Sequence, residues 1–448
     1  MKKLMKTLSA LLVTAVAMTA LTMPVAADTQ YTAITGNKVT FYKTLIVDKD
    51  AAIPNLVFTF KTTAGTATKE NQPNNTKLSV LAGTGSIADA TVTFAPDSPV
   101  DGTNAHSVAA DYKTVTLPVQ VDLTTASYDE PGVYRYYITE QDDNTKVVYD
   151  VDNRPAATAG NRVRTLDVYV EDTGASTPAL AVTGYVMYLG QVTDTPTIGT
   201  NPLNGTAIDS STEVTITGDG IYVETTGTGT GNTGAATKTN YIMNLYKTHD
   251  LTFGKEVIGN QGSRDKYFKV TVTCPGLTAG DKFPVYMANA VKEPTANSAT
   301  TYTADVMKAA NNITELTSTQ LADGYAFYLQ DGNYITILGL PEGCDYTVSE
   351  DAEDYTSNEG ITAANSSLDW NSSVAGVDAL GDALTGTMNA DKHTGFTNEK
   401  KGLIPTGVLL VATPVIIVAL IAIAGVVFFS VRSAKSKAQE DEAETAEE

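Results

Sequence analysis

The amino-acid sequence predicts an all-β protein. Between residues 28 and 402, Thr, Val, Gly, Asp and Asn dominate, and apolar residues alternate with polar ones in many short runs. Almost no stretch of that region keeps the 3.6-residue period of an amphipathic helix. Phe41–Val47, Val57–Phe60, Gly132–Glu140, Leu251–Val257 and Tyr267–Val270 each read as strands.

The two ends of the chain are of another kind. Lys2, Lys3 and Lys6 precede an uncharged run from Thr7 to Met23, followed by Pro24-Val25-Ala26-Ala27. A basic start, a short apolar stretch and small residues at the cut define a secretory signal peptide over residues 1–27. At the far end, Val408 to Val431 is an uncharged apolar run that as a helix spans roughly 36 Å, enough for a ~30 Å hydrocarbon core. Arg432, Lys435 and Lys437 follow it and hold that end in the cytoplasm. Just before the span stands Leu403-Ile404-Pro405-Thr406-Gly407. Pentapeptide, transmembrane helix and basic tail (403–448) together resemble the tripartite signal read by sortases, which cut after the Thr and pass its carbonyl to an amine. With Ile second and Pro third, the pentapeptide departs from the common Leu-Pro-x-Thr-Gly form and is closer to Val-Pro-Thr-Gly variants of some pilins.

Composition excludes several functions. A formal net charge of −21 repels nucleic acid and anionic lipid, so no nucleic-acid partner is expected. An external enzyme is disfavoured: the chain has three His (His106, His249, His393) and one Trp (Trp370), and lacks Gly-x-Ser-x-Gly, His-Glu-x-x-His and a phosphate loop. Its acidic residues form no spaced metal set, and no cofactor is implied. Two cysteines, Cys274 and Cys344, leave a disulfide or two buried thiols open and exclude a disulfide-dense scaffold.

One unit occurs twice. Phe41-Tyr42-Lys43-Thr44-Leu45 and Val57–Phe60 match Phe253-Gly254-Lys255-Glu256-Val257 and Tyr267–Val270. Gly132–Glu140 matches Gly343–Glu350, each ending Tyr-x-[Ile/Val]-x-Glu; Tyr241–Tyr246, with Asn244, matches Gly395–Glu399, with Asn398. The order Lys, Glu, Asn therefore repeats, which divides the chain into domains 28–247 and 248–402. The first is longer because a Gly- and Thr-rich stretch, 173–239, is inserted before its last strand; it reads as a surface excursion with some strand content.

Strand periodicity gives these polar residues an interior position. Residues two apart share a face. Lys43 lies with Val39, Phe41, Leu45 and Val47, and Lys255 with Leu251, Phe253 and Val257. Glu140 lies with Tyr134, Tyr136 and Ile138, and Glu350 with Cys344, Tyr346 and Val348; Asn244 sits between Ile242 and Tyr246, and Asn398 beyond Phe396. Burying a lone Lys or Glu costs several kcal/mol, so they are expected to meet one another. Desolvation favours the neutral amine and the protonated carboxyl. A neutral Lys beside an Asn carbonyl, with a Glu to polarise that carbonyl and shuttle protons, forms a Lys–Asn isopeptide bond and releases ammonia.

With these residues in view, the chain resembles the two-domain backbone pilins of streptococcal T-antigen type, from sortase-assembled Gram-positive pili. The likeness covers nearly all of the region between the signals. It implies immunoglobulin-like β-sandwich domains, self-formed cross-links Lys43–Asn244 and Lys255–Asn398, and Glu140 and Glu350 as their catalytic residues. It implies Thr406 as acyl donor and a Lys shortly before the first closing Asn as intersubunit acceptor. Lys238 fits that position and Lys247 is the runner-up. The partners implied are a transient sortase, further copies of the chain in a covalent polymer, ancillary pilins and peptidoglycan, on the outer face of the cell. The alternative is a wall-anchored adhesin, or a pilus tip or base subunit, that presents residues 173–239 to a host surface.

Overall fold

The computed structural model describes residues 32–34, 36–68, 80–101, 108–141, 146–149, 162–174, 179–192, 207–208, 214–217, 220–223, 238–288, 294–295, 301–359 and 383–402. The signal peptide, the Leu403–Gly407 pentapeptide and the apolar run 408–431 lie outside them. Among the described residues no helix is long and apolar enough to cross a membrane.

The fold is all-β as predicted, built as two sandwiches in succession. In the first, a four-stranded sheet has the order Tyr112–Asp122, Lys38–Asp48, Tyr241–Tyr246, Val147–Tyr149. Facing it is a nine-stranded sheet whose centre runs Leu180–Leu189, Val163–Asp172, Gly132–Glu140, Leu56–Ala64, Ala90–Phe94. Inward-facing Phe41, Leu45, Phe60, Phe94, Tyr136, Ile138, Leu166 and Ile242 fill the space between the sheets. Alternation along each strand dictates this: in Leu56–Ala64 the even positions Leu56, Phe58 and Phe60 are buried while Val57 is 53 % exposed.

The second sandwich repeats the plan. A six-stranded sheet carries Tyr334–Pro341, Thr248–Ile258 and Lys392–Glu399 side by side, and a four-stranded sheet carries Tyr325–Leu329, Phe268–Thr273, Asp345–Asp351 and Thr385–Thr387. Its core includes Leu251, Phe253, Val270, Phe327, Ile335, Tyr346 and Phe396. Both cysteines are buried here and unbridged. Two short helices, Ala304–Asn311 and Ser318–Asp323, cross one flank, the second opened by a capping box between Thr317 and Gln320.

The inserted stretch is more integral than its composition suggests. Leu180–Leu189 is a full strand of the nine-stranded sheet, with a bulge between Val182 and Gly184. The bulge shifts the phase, so Val182, Tyr185 and Met187 face the core while Val186 and Tyr188 are buried on the opposite side with Val192. A strand apolar on both faces lacks the clean alternation that marks a half-buried one.

Lys247 alone separates Tyr241–Tyr246 from Thr248–Ile258. The two sandwiches also touch. The Asn55 backbone N–H donates to Asp281 Oδ1 at 2.7 Å, its side-chain amide donates to the Ala279 carbonyl at 3.0 Å, and Lys146 Nζ reaches Thr278 Oγ1 at 3.3 Å. Gly339, at φ +74°, packs so closely on Ala51 that a Cβ would collide with it.

Asp250 accepts the Gly339 N–H at 2.9 Å beside this junction. Burial, with Asp391, Asp48 and Asp50 nearby, pushes its carboxyl up to about 6, against the lowering effect of the Gly339 N–H. The folded state thus holds a proton that the unfolded chain has released at intermediate pH. The associated stability is present below about pH 4 and is lost as pH rises through about 6. Asp250→Asn should flatten that dependence: melting curves at pH 4.5 and 7.5 should differ less for the variant than for the parent, with the variant gaining at pH 7.5.

Candidate isopeptide sites

In each domain the Lys strand and the Asn strand lie side by side and parallel. Lys43 is level with Ile242, two residues before Asn244, and Lys255 is level with Phe396, two residues before Asn398. The offset is identical, so Lys and Asn are diagonal neighbours on one face. Their side chains point inward because their strands are buried on that side; Lys43, Asn244, Lys255 and Asn398 are each fully enclosed.

The Glu comes from the opposite sheet. Glu140 is level with Phe60, and Glu350 with Val270, again at matching positions. Lys43 Nζ lies 2.7 Å from Glu140 Oε1, and Lys255 Nζ lies 2.8 Å from Glu350 Oε1, with every side chain at most 1 % exposed. Asn244 Nδ2 donates to the same Glu140 Oε1 at 2.8 Å. The amine and the amide nitrogen therefore meet on one carboxylate oxygen. Asn244 Oδ1 and Glu140 Oε2 have no hydrogen-bond partner among the described residues.

Electrostatics in the second domain shift both partners toward their neutral forms. Burial lowers the Lys255 amine to about 8 against the raising effect of Glu350, and burial raises the Glu350 carboxyl against the lowering effects of Lys255 and Asn398. An ammonium and a carboxylate in a dry interior pay a desolvation cost that proton transfer between them removes.

Sequence reasoning missed one member of each site. Lys43 Nζ sits 4.5 Å from the centre of the Phe58 ring, and Lys255 Nζ sits 4.4 Å from that of Phe268. Phe58 lies two residues before Phe60, and Phe268 two before Val270, so the ring is part of the repeat. The signal was present in the matched pairs Val57–Phe60 and Tyr267–Val270. What it lacked was a reason to single out an apolar residue among many. The ring walls the amine off from water, and its π face attracts the amine while it is protonated.

Of the remaining residues singled out, Lys238 begins a two-residue strand, Lys238–Thr239, paired with Tyr188 on the nine-stranded sheet. Lys247 pairs with Glu342 at 3.5 Å, at the junction between the sandwiches.

Two sandwiches in tandem thus each bring one Lys, one Glu and one Asn together between their sheets. Residues 39–198 match the family of the Spy0128-like isopeptide containing domain, and residues 249–400 match a domain family of unknown function, DUF7601. Over 404 residues the chain is 25 % identical to a curated pilin of Streptococcus pyogenes serotype M1, covering 89 % of this chain and 91 % of that one. Among solved structures, the major pilin of Streptococcus pyogenes aligns over 82 % of this chain and all of its own, at 21 % identity and a TM-score of 0.44. The T3.2 major pilin of the same species aligns over 82 % and 99 %, at 16 % identity and a TM-score of 0.45.

Proposed function

We propose that the chain is the structural shaft subunit of a cell-surface pilus, each of its sandwiches locked by a self-formed Lys–Asn isopeptide bond and successive copies joined end to end by a sortase. The observation that carries this reading is the pair of buried Lys–Glu–Asn sets in the same register, in a chain similar over nearly its whole length to a streptococcal pilin.

In the first domain, neutral Lys43 Nζ attacks Asn244 Cγ. The Nζ–Cγ bond forms, Glu140 carries the proton from Nζ to Nδ2 through the oxygen that both nitrogens touch, the Cγ–Nδ2 bond breaks and ammonia leaves. Lys255, Glu350 and Asn398 repeat the step. Enclosure in a rigid core supplies the effective concentration that so unreactive an acyl group needs.

The topology suits end-to-end linkage. Tyr241–Tyr246 runs toward the junction, so Lys238 lies beyond its far end; Thr248–Ile258 and the parallel Lys392–Glu399 run away from the junction, so Gly402 lies at the opposite extremity. Lys247 sits at the junction itself, which favours Lys238 as acceptor and Thr406 as donor.

Immunogold labelling with antibody against residues 248–402 tests the shaft reading. Label along the whole filament is expected. Label confined to one spot per filament, or to the wall alone, would favour the tip, base or adhesin role.

A further inference from the structure

The stem of the donor peptide is held by a built clamp. Lys400 N–H donates to the Ile258 carbonyl at 3.1 Å, and Gln261 N–H donates to the Lys400 carbonyl at 3.0 Å. Asn260 then brackets Gly402 from both sides: its amide nitrogen donates to the Gly402 carbonyl at 3.2 Å and its amide oxygen accepts the Gly402 N–H at 2.8 Å. Gly259 adopts φ +92° and lies so close that a Cβ would collide with the Lys400 carbonyl oxygen. The turn after the Lys255 strand therefore zips onto residues 400–402 in place of a further strand pair. Lys400 adds an ion pair to Asp354, which Lys266 also meets.

We infer that this clamp, with Asn260 as its positioning residue, sets the length of the joint between successive copies of the chain. The inference rests on the donor role proposed for Thr406. With Gly402 fixed, four residues, Leu403–Thr406, separate it from the scissile bond, a tether of at most ~14 Å even if fully extended. A second copy attached through so short a tether has to seat its Lys238-bearing end against the end of the second sandwich, around Asn260, Gln261 and Lys401. Were the stem loose from Glu399 onward, the tether would nearly double and the joint would swing.

Two measurements test this on the chain from residue 28 to the pentapeptide. Trypsin cuts after Lys400 and Lys401 only when that backbone leaves the turn, so Asn260→Ala and Gly259→Ala should each speed that cleavage about tenfold or more while the core melts unchanged. Equal cleavage rates in parent and variants would overturn the clamp. In sortase-linked dimers, spin labels on the donor's second domain and the acceptor's first should give a narrow distance distribution that Asn260→Ala broadens; equal widths would overturn the joint. Failure of the underlying donor reading shows separately, as dimers whose mapped bond does not involve Thr406.

Discussion

The mature chain should weigh two ammonia molecules less than its sequence requires. Each cross-link expels one NH3, and each Glu is needed for its own domain. Intact-mass measurement should therefore find Glu140→Ala and Glu350→Ala each only one ammonia short of its own sequence mass, and the double variant at its full sequence mass. Lys43 and Asn244 enclose about 200 residues and Lys255 and Asn398 about 140. If an isopeptide restrains the unfolded state as a disulfide does, each link contributes on the order of 5 kcal/mol. The unlinked variants should melt far below the parent and lose resistance to protease. A Glu→Ala exchange also removes the carboxylate beside a buried Lys, so part of the loss is the cost of an unpaired amine. Asn244→Ala and Asn398→Ala keep the Lys–Glu pairs and separate the two contributions. An unshifted parent mass would sink the cross-link.

In cells that assemble the polymer, Lys238→Ala should abolish the ladder of high-mass species that survive boiling in detergent, leaving monomer attached to the wall. Thr406→Ala should remove both ladder and wall attachment, because the acyl group itself is then missing. The same lysine exchange should leave the melting curve nearly unchanged, since Lys238 belongs to a two-residue strand one place in from the edge of its sheet. A ladder that persists in Lys238→Ala and disappears in Lys247→Ala would move the acceptor to the junction. There the Glu342 pair and the short connection would have to give way for a sortase to reach it.

Much of the site was legible before any coordinates. Strand alternation placed Lys43, Glu140 and Asn244 among Phe41, Leu45, Ile138 and Ile242, and all of these are buried. Because the order occurred twice, with the same apolar company, a chance polar residue was a poor explanation. The phase of a strand follows from its own side chains, so this is information that a single segment carries. The strand Leu180–Leu189 was harder to read. Its bulge breaks the alternation and its two faces both find apolar cover, so its local pattern fits several environments.

What sequence alone determined about this protein is therefore the all-β class, the doubled Lys–Glu–Asn order and the inward phase of each residue. Tertiary structure decided which oxygen the two nitrogens share, that Phe58 and Phe268 wall in the amines, and how Asn55 and Asp281 tie the sandwiches together. It also decided that Asn260 grips Gly402. The division has a physical cause. Phase is set by neighbours two residues away along one strand, whereas these contacts join residues 13 to 226 positions apart on different strands and loops, whose meeting depends on how sheets stack and which loops abut.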